Sequence, residues 1–283
     1  MNYLTESAIT EFIDLAIRED VGDGDHSALA SIPADAQNKA RLIIKGEGIV
    51  AGIEMAEKIF KRVDAGLKME VTIPDGVSVK YGDIAFTVSG NARSILTSER
   101  LVLNCMQRMS GIATATNELK GLIRHTQAKL LDTRKTTPNF RIMEKWAVAI
   151  GGGGNHRFGL FDMIILKDNH VDYAGGVEKA IKATHSYLSS AGRNLKIEIE
   201  IRNLEEVNQV LAIGGVDRIM LDNMSIEMLR KAVELINHRF ETEASGGINK
   251  KNIVKVAETG VDYISVGALT HSSQSMDMSL KAF

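Results

Sequence analysis

The chain has 283 residues, 44% of them hydrophobic and 25% charged, and its 34 Lys and Arg against 36 Asp and Glu leave a formal net charge of −2. This composition belongs to a soluble globular protein long enough for a barrel-type domain plus a smaller one. It excludes a diffuse basic surface for nucleic acid. A single cysteine, Cys105, excludes an intrachain disulfide and fits a reducing compartment; in its apolar helical stretch it reads as a packed small hydrophobe. No apolar run approaches the roughly 18 residues of a membrane span. The acidic start (Glu6, Glu11, Asp14) lacks the basic-then-apolar pattern of a signal peptide, so a cytoplasmic location without membrane partners is expected.

Taken in chain order, residues 5–19 place Ile9, Phe12, Ile13, Ala16 and Ile17 on one helical face, with Thr5 or Ser7 as N-cap. Gly22–Asp25 and Ser31–Pro33 read as loop, and the acidic loop lacks the spacing of a calcium site. From Lys39 to Ser89 short alternating segments separated by Gly-rich turns predict a small antiparallel sheet, with a helix near 53–62. A helical stretch follows from Ile95 to Arg124. The texture then changes. Strand candidates recur at 129–133, 163–167, 196–201, 218–222, 241–245 and 262–267, with helical patterns at 177–190, 203–212, 225–237 and 250–259. This alternation predicts a parallel sheet with crossover helices, and its regular interval favours a (β/α) barrel over an open doubly wound sheet.

Polar residues fall at the strand ends: Asp132, Lys167, Glu200, Asp222, Ser245 and Gly267. In such barrels the carboxyl ends of the strands build the active site, and the last two loops often hold a phosphate. Ser245-Gly246-Gly247-Ile248 and Val266-Gly267-Ala268 suit that role, because glycine lets backbone N–H groups approach oxygens closely. Arg134, Lys135, His156, Arg157 and Lys167 surround the run Gly151–Gly154 in a chain with almost no net charge. The positive charge is therefore focused on one small polyanionic ligand, with Arg giving two-point recognition and Lys a point charge. Each piece also has an ordinary reading. Arg134 and Lys135 fit a polar surface loop, the glycine run a connector, and a lone histidine a structural hydrogen bond; Asp222 and Asn223 fit a helix cap before Ser225. The four glycines before Asn155-His156-Arg157 point instead to a backbone passing close to a ligand. Glu198 and Glu200 share one strand face, opposite Ile197, Ile199 and Ile201, and need cations or a metal as partners. Glu200 is the functional candidate and Glu198 a buried ion-pair partner. The Lys179–Lys182 and Lys250-Lys251 tracts read as solvated helix faces.

The set Asp132-Thr133-Arg134-Lys135-Thr136-Thr137-Pro138, Gly152–Arg157, Lys167-Asp168-Asn169-His170, Leu221-Asp222-Asn223, Ser245–Ile248 and Val266–His271 resembles, in order and spacing, the quinolinate phosphoribosyltransferase family. The resemblance extends to Glu19-Asp20, Gly24-Asp25, Ser98-Glu99-Arg100 and Asp277–Lys281, and so covers nearly the whole chain. Asn139 stands where the family commonly has Gly, and Met276 where it usually has Leu. The resemblance implies an α/β sandwich over residues 1–112, joined to an incomplete (β/α) barrel over 113–272, with the tail 273–283 packed back on the first domain. It implies phosphoribosyl transfer from phosphoribosyl pyrophosphate to quinolinate with decarboxylation, in NAD biosynthesis. Arg134, His156 and Arg157 would hold the quinolinate carboxylates, with Arg100 from a neighbouring subunit of a homodimer or hexamer. Lys135 and Lys167 would contact phosphoribosyl pyrophosphate; Glu200 and Asp222 would take Mg2+ and the ribose hydroxyls; Ser245, Gly246, Gly247, Gly267 and His271 would cradle the 5′-phosphate. The alternatives are a related phosphoribosyltransferase acting on another aromatic acid, a Schiff-base aldolase using Lys167, and a non-catalytic barrel that binds sugar phosphate. The three arginines favour a dicarboxylate.

Overall fold

The structure is a computed structural model and describes residues 3–283. Along the chain run α1 (Glu6–Val21), α2 (His26–Ser31), β1 (Gln37–Ile44), β2 (Gly48–Ile49), α3 (Ile53–Val63), β3 (Lys68–Val71), β4 (Ser78–Val79), β5 (Ile84–Asn91) and α4 (Ala92–Leu122). The second half has β6 (Lys129–Leu131), α5 (Arg141–Ile150), β7 (Ile164–Leu166), α6 (Asp168–Ala174), α7 (Val177–Ser190), β8 (Ile197–Ile201), α8 (Leu204–Ile213), β9 (Arg218–Asp222) and α9 (Ile226–Ile236). It closes with β10 (Glu241–Ser245), α10 (Ile253–Ala257), β11 (Tyr263–Ser265), α11 (Ala268–His271) and β12 (Met278–Ala282). Two compact units result: one through Asn117 with Thr136–Gly152 and Leu269–Phe283, the other Glu118–Lys135 with Gly153–Ala268.

The first unit is α+β. Its antiparallel sheet has the order β12-β1-β5-β3, so the C-terminal strand pairs with β1, Leu42 opposite Leu280. Leu42, Ile44, Phe86 and Val88 are fully buried, as are Met55, Ile59 and Phe60 of α3. Phe60 and Phe86 meet edge-to-face with centroids 5.8 Å apart, a favoured aromatic geometry. Thr5 is the N-cap of α1, its side chain accepting from Ala8 N–H. Between the two predicted loops lies α2, which takes in Ser31 of the second; Asp25 accepts from Ala28 N–H at its start, which makes the acidic turn a helix cap. Helix α5 has no counterpart in the elements predicted from sequence, although its Met143, Ala147 and Val148 are buried. The close approach at Gly151 is to the protein itself. A Cβ there would lie 2.4 Å from the Ala113 carbonyl oxygen of α4, so helix packing, not a ligand, requires that glycine. Asn139 has φ 61°, a left-handed conformation that glycine adopts freely and asparagine tolerates, which explains the substitution.

The second unit holds six parallel strands in the order β6-β11-β10-β9-β8-β7. Chain order runs around the sheet from β7 to β11, and β6 then pairs with β11. This is the order of a (β/α) barrel with no β6–β7 ladder, hence an incomplete one. All six predicted strands are present. β8 is buried along its whole length, as a strand covered on both sides must be. Its isoleucines take one face, and Glu198 and Glu200 the other. The register aligns Glu198 with Arg218 and Glu241, Glu200 with Met220 and Glu243, and Asp222 with Ser245. One face of the sheet is therefore a ladder of charged and polar side chains.

Candidate active site at the strand ends

Asp132, fully buried just after β6, organises the first loop. Its Oδ1 accepts from His156 N–H at 2.8 Å and its Oδ2 from the Asn155 amide at 2.6 Å. Arg134 and Lys135 follow on the exposed part of that loop, where Lys135 N–H donates to Thr133 Oγ1 at 3.0 Å. Thr137 closes the loop by donating its N–H and hydroxyl to the buried Glu144, which also pairs with Arg108 at 3.0 Å.

His156 is held from both sides. Its Nδ1 accepts from Arg157 N–H at 2.7 Å, and its Nε2 lies 2.9 Å from Glu198 Oε2 and 3.3 Å from Glu243 Oε2. Burial opposes a charged imidazole; the two carboxylates outweigh it and push the pKa up. The Arg157 N–H works the other way, because a ring protonated at both nitrogens has no acceptor left. Burial raises the Glu198 carboxyl, with Glu243 adding to that rise. Glu243 is held low against burial by His156, Ser265 and Arg218, whose Nη1 sits 2.9 Å from its Oε2. Arg218 also pairs with Glu241 at 3.1 Å and lies 3.9 Å from the Tyr263 ring centroid.

Arg157 donates through Nη1 to the Met163 carbonyl at 2.9 Å, while its Nε is buried with no protein partner. Burial lowers its pKa and the positive charge of Arg134 lowers it further, so the two guanidinium groups share one neighbourhood. A buried donor without a protein partner, beside a second guanidinium, can donate to an anion. At the end of β7, Lys167 Nζ pairs with Glu200 Oε2 at 3.0 Å. Its backbone N–H donates to His170 Nδ1 at 2.9 Å at the start of α6.

Asp222 is not the cap of α9. Ser225 takes that role, accepting from Met228 N–H at 3.3 Å, and the Asp222 carboxylate accepts from the Asn223 amide. Gly246 has φ 95°, and a Cβ there would lie 2.2 Å from Asn223 Oδ1, so only glycine fits between Ser245 and Gly247. Gly267 leads from β11 into α11. His271, exposed at the end of α11 with its Nδ1 2.6 Å from Ser272 Oγ, belongs to the first unit, as does the exposed Arg100 on α4. The other candidates all fall in the second unit: Arg134 near Arg157, Lys167 on Glu200, and Asp222 in register with Ser245.

The residues fit Mg2+. Glu200 and Asp222 lie on one face of adjacent strands and offer hard oxygen donors, and Mg2+ commonly takes one or two carboxylates plus substrate phosphates. His156, Glu198 and Glu243 also bring ligand atoms within 4.8 Å of one another, but there Arg218 already supplies the cation. Sequence reasoning missed Arg218, Glu243 and the anchoring role of Asp132. Their signal was strand parity: Glu243 stands two before Ser245, and Arg218 is aligned with Glu198.

A parallel barrel with paired cations, carboxylates and a glycine cradle at its strand ends defines an enzyme for a small, multiply charged substrate. Comparison with known proteins narrows that class. The family descriptions "Quinolinate phosphoribosyl transferase, N-terminal domain" and "C-terminal domain" match residues 25–110 and 112–281. A relative from Nicotiana glauca, "Quinolinate phosphoribosyltransferase [decarboxylating] 2, mitochondrial", is 48% identical over 96% of this chain and 82% of its own length. "Probable nicotinate-nucleotide pyrophosphorylase [carboxylating]" of Bacillus subtilis is 40% identical over 93% of this chain and 89% of its own. The crystal structure of NadC from Streptococcus pyogenes superposes with a TM-score of 0.93 at 40% identity, over 98% of this chain and 97% of that one. The chain belongs to the quinolinate phosphoribosyltransferase family.

Proposed function

We propose that this chain transfers phosphoribose from phosphoribosyl pyrophosphate to the ring nitrogen of quinolinate and releases the 2-carboxylate. The products are nicotinate mononucleotide, pyrophosphate and CO2, a step of NAD biosynthesis. The observation that carries the reading is the Arg134–Arg157 pair with its orphan Nε, in a chain of this family. Two guanidinium groups suit a dicarboxylate, and Arg100 of a neighbouring subunit supplies a third. Lys135 and Lys167 face the pyrophosphate. Ser245, Gly246, Gly247, Gly267 and His271 take the 5′-phosphate, and Glu200 and Asp222 the ribose hydroxyls and Mg2+.

As the C1–oxygen bond breaks, its electron pair leaves with pyrophosphate and positive charge builds on the ribose, where Glu200 and Asp222 stabilise it. Mg2+, when bound, neutralises and orients the leaving pyrophosphate. The nitrogen–C1 bond forms and makes the ring a pyridinium. That electron sink lets the adjacent carboxylate depart as CO2, and the pair left on carbon takes a proton. The protein's share is positioning and charge matching. An aldolase reading finds no support at Lys167: a Schiff-base lysine is desolvated, whereas this side chain is 53% exposed and salt-bridged.

Among the described residues no helix is long and apolar enough to cross a membrane. A cytoplasmic location belongs to the same proposal; a single buried cysteine, Cys105, fits a reducing compartment. The decisive assay incubates the protein with quinolinate, phosphoribosyl pyrophosphate and Mg2+ and follows nicotinate mononucleotide. Its formation, lost in chelator and restored by excess Mg2+, is expected; full turnover in chelator contradicts the metal role, and no product contradicts the activity. The shared site is tested by mixing Arg100→Ala with Lys135→Ala chains, each inactive alone. Random exchange restores about one quarter of wild-type activity if each site is composite. No recovery despite subunit exchange removes Arg100 from the neighbour's site.

A further inference from the structure

Resting on the quinolinate reading above, we propose that His156 is a positioning residue that sets Arg157, and does not itself hold a substrate carboxylate. A direct ligand needs a ring nitrogen free to face the substrate. Both nitrogens of His156 instead face the protein: Nδ1 accepts from Arg157 N–H at 2.7 Å, and Nε2 stands at ion-pair distance from Glu198 and Glu243, 2.9 and 3.3 Å away. The side chain is 5% exposed.

The surroundings show what this ring accomplishes. Asp132 grips the segment from one side through Asn155 and His156 N–H. The imidazole grips it from the other, and its own anchor is a pair of carboxylates on β8 and β10, fixed in turn by Arg218 on β9. Arg157 is thereby held at two points: its backbone by His156 and its guanidinium by the Met163 carbonyl. The guanidinium, beside Arg134, keeps further donors, among them a buried Nε with no protein partner. Charge placed on the rigid strand interior thus fixes the direction of a guanidinium on a loop. Arg157 alone could not hold that direction, since like charge at Arg134 repels it. The cluster is no metal centre, because the Arg218 guanidinium stands where a cation would be needed.

A double-mutant cycle separates the two roles. His156→Ala is expected to lower kcat/KM for quinolinate by about 10- to 100-fold, chiefly through KM, with KM for phosphoribosyl pyrophosphate within about threefold of wild type. In an Arg157→Ala background the same change should cost less than about threefold, because the residue it acts through is gone. Effects that multiply would overturn the proposal and make His156 a ligand in its own right. A parallel rise in both KM values would overturn it too, as the mark of general damage. If His156→Ala does not fold, the cycle is run with Glu243→Gln, which keeps volume and touches no substrate. A loss of about 3- to 10-fold in wild type that vanishes in Arg157→Ala supports the proposal; a loss that persists there contradicts it. Failure of the wild-type enzyme to make nicotinate mononucleotide would instead strike the functional reading. The two failures are therefore distinct.

Discussion

The two sheets of this molecule solve burial in opposite ways. The antiparallel sheet of the first unit fills its covered side with Leu42, Ile44, Phe86 and Val88, and its stability comes from area removed from water and close packing. The parallel sheet of the second unit buries Glu198, Glu200, Glu243 and Arg218 on its inner face. Such charges cost several kcal/mol each to desolvate, and they persist only because each has a partner. The first arrangement specifies a scaffold. The second holds His156 through Glu198 and Glu243, and Lys167 through Glu200.

One substitution in each interior separates the two kinds of burial. Arg218→Leu should destabilise by about 3–5 kcal/mol, because it leaves His156 as the one cationic partner of the buried Glu198 and Glu243. Adding Glu243→Gln should return a substantial part of that loss, read as a rise in denaturation midpoint. Phe86→Ala should also cost about 3–5 kcal/mol, and no change of charge should recover it. If Glu243→Gln fails to help Arg218→Leu, the inner face is not a balanced charge network. A smaller effect is expected at the loop that this network supports: Arg157→Ala should lower kcat/KM for quinolinate by about 2–4 kcal/mol while the fold melts as wild type. Unchanged quinolinate kinetics would remove Arg157 from the site.

Gly246→Ala probes the turn between Ser245 and Gly247. The added methyl would meet Asn223 Oδ1 at 2.2 Å and its backbone nitrogen at 2.9 Å, at a φ of 95°. A loss of about 1–3 kcal/mol in stability is expected, with a raised KM for phosphoribosyl pyrophosphate and a quinolinate KM near wild type. A stable variant with both KM values unchanged would detach this turn from the substrate. The smallest effect belongs to Asn139→Gly, which relieves a left-handed residue at φ 61°; stability should move by less than about 1 kcal/mol and activity not at all. A large loss of activity would show that the asparagine side chain has a role of its own.

Much of this architecture is legible in the sequence, for identifiable reasons. The six parallel strands show because each carries a short apolar run ending in a polar residue. The split of β8 between isoleucines and glutamates shows because strand parity is fixed at two. The site loops show because Arg, Lys and His cluster there without a basic excess elsewhere. Helix α5 stayed hidden because its N-cap, Phe140, offers no side-chain acceptor, and the glycines that stop it read as a ligand loop. Gly151 reads as ligand-facing from sequence because no local pattern records that α4 passes 2.4 Å from its missing Cβ. The neighbours of the His156 ring are equally hidden from local sequence. Only the register of β8, β9 and β10 brings Glu198, Arg218 and Glu243 together in front of its ring.

The central claim, that the Arg134–Arg157 neighbourhood is built for two carboxylates, is tested most directly by calorimetric binding of quinolinate beside nicotinate, which lacks the second carboxylate. Quinolinate should bind at least about tenfold more tightly to the wild-type protein, and that preference should collapse in Arg157→Ala, since one charge-assisted pair is worth about 1.5–3 kcal/mol. Equal affinity for the two acids in the wild-type protein would contradict the account.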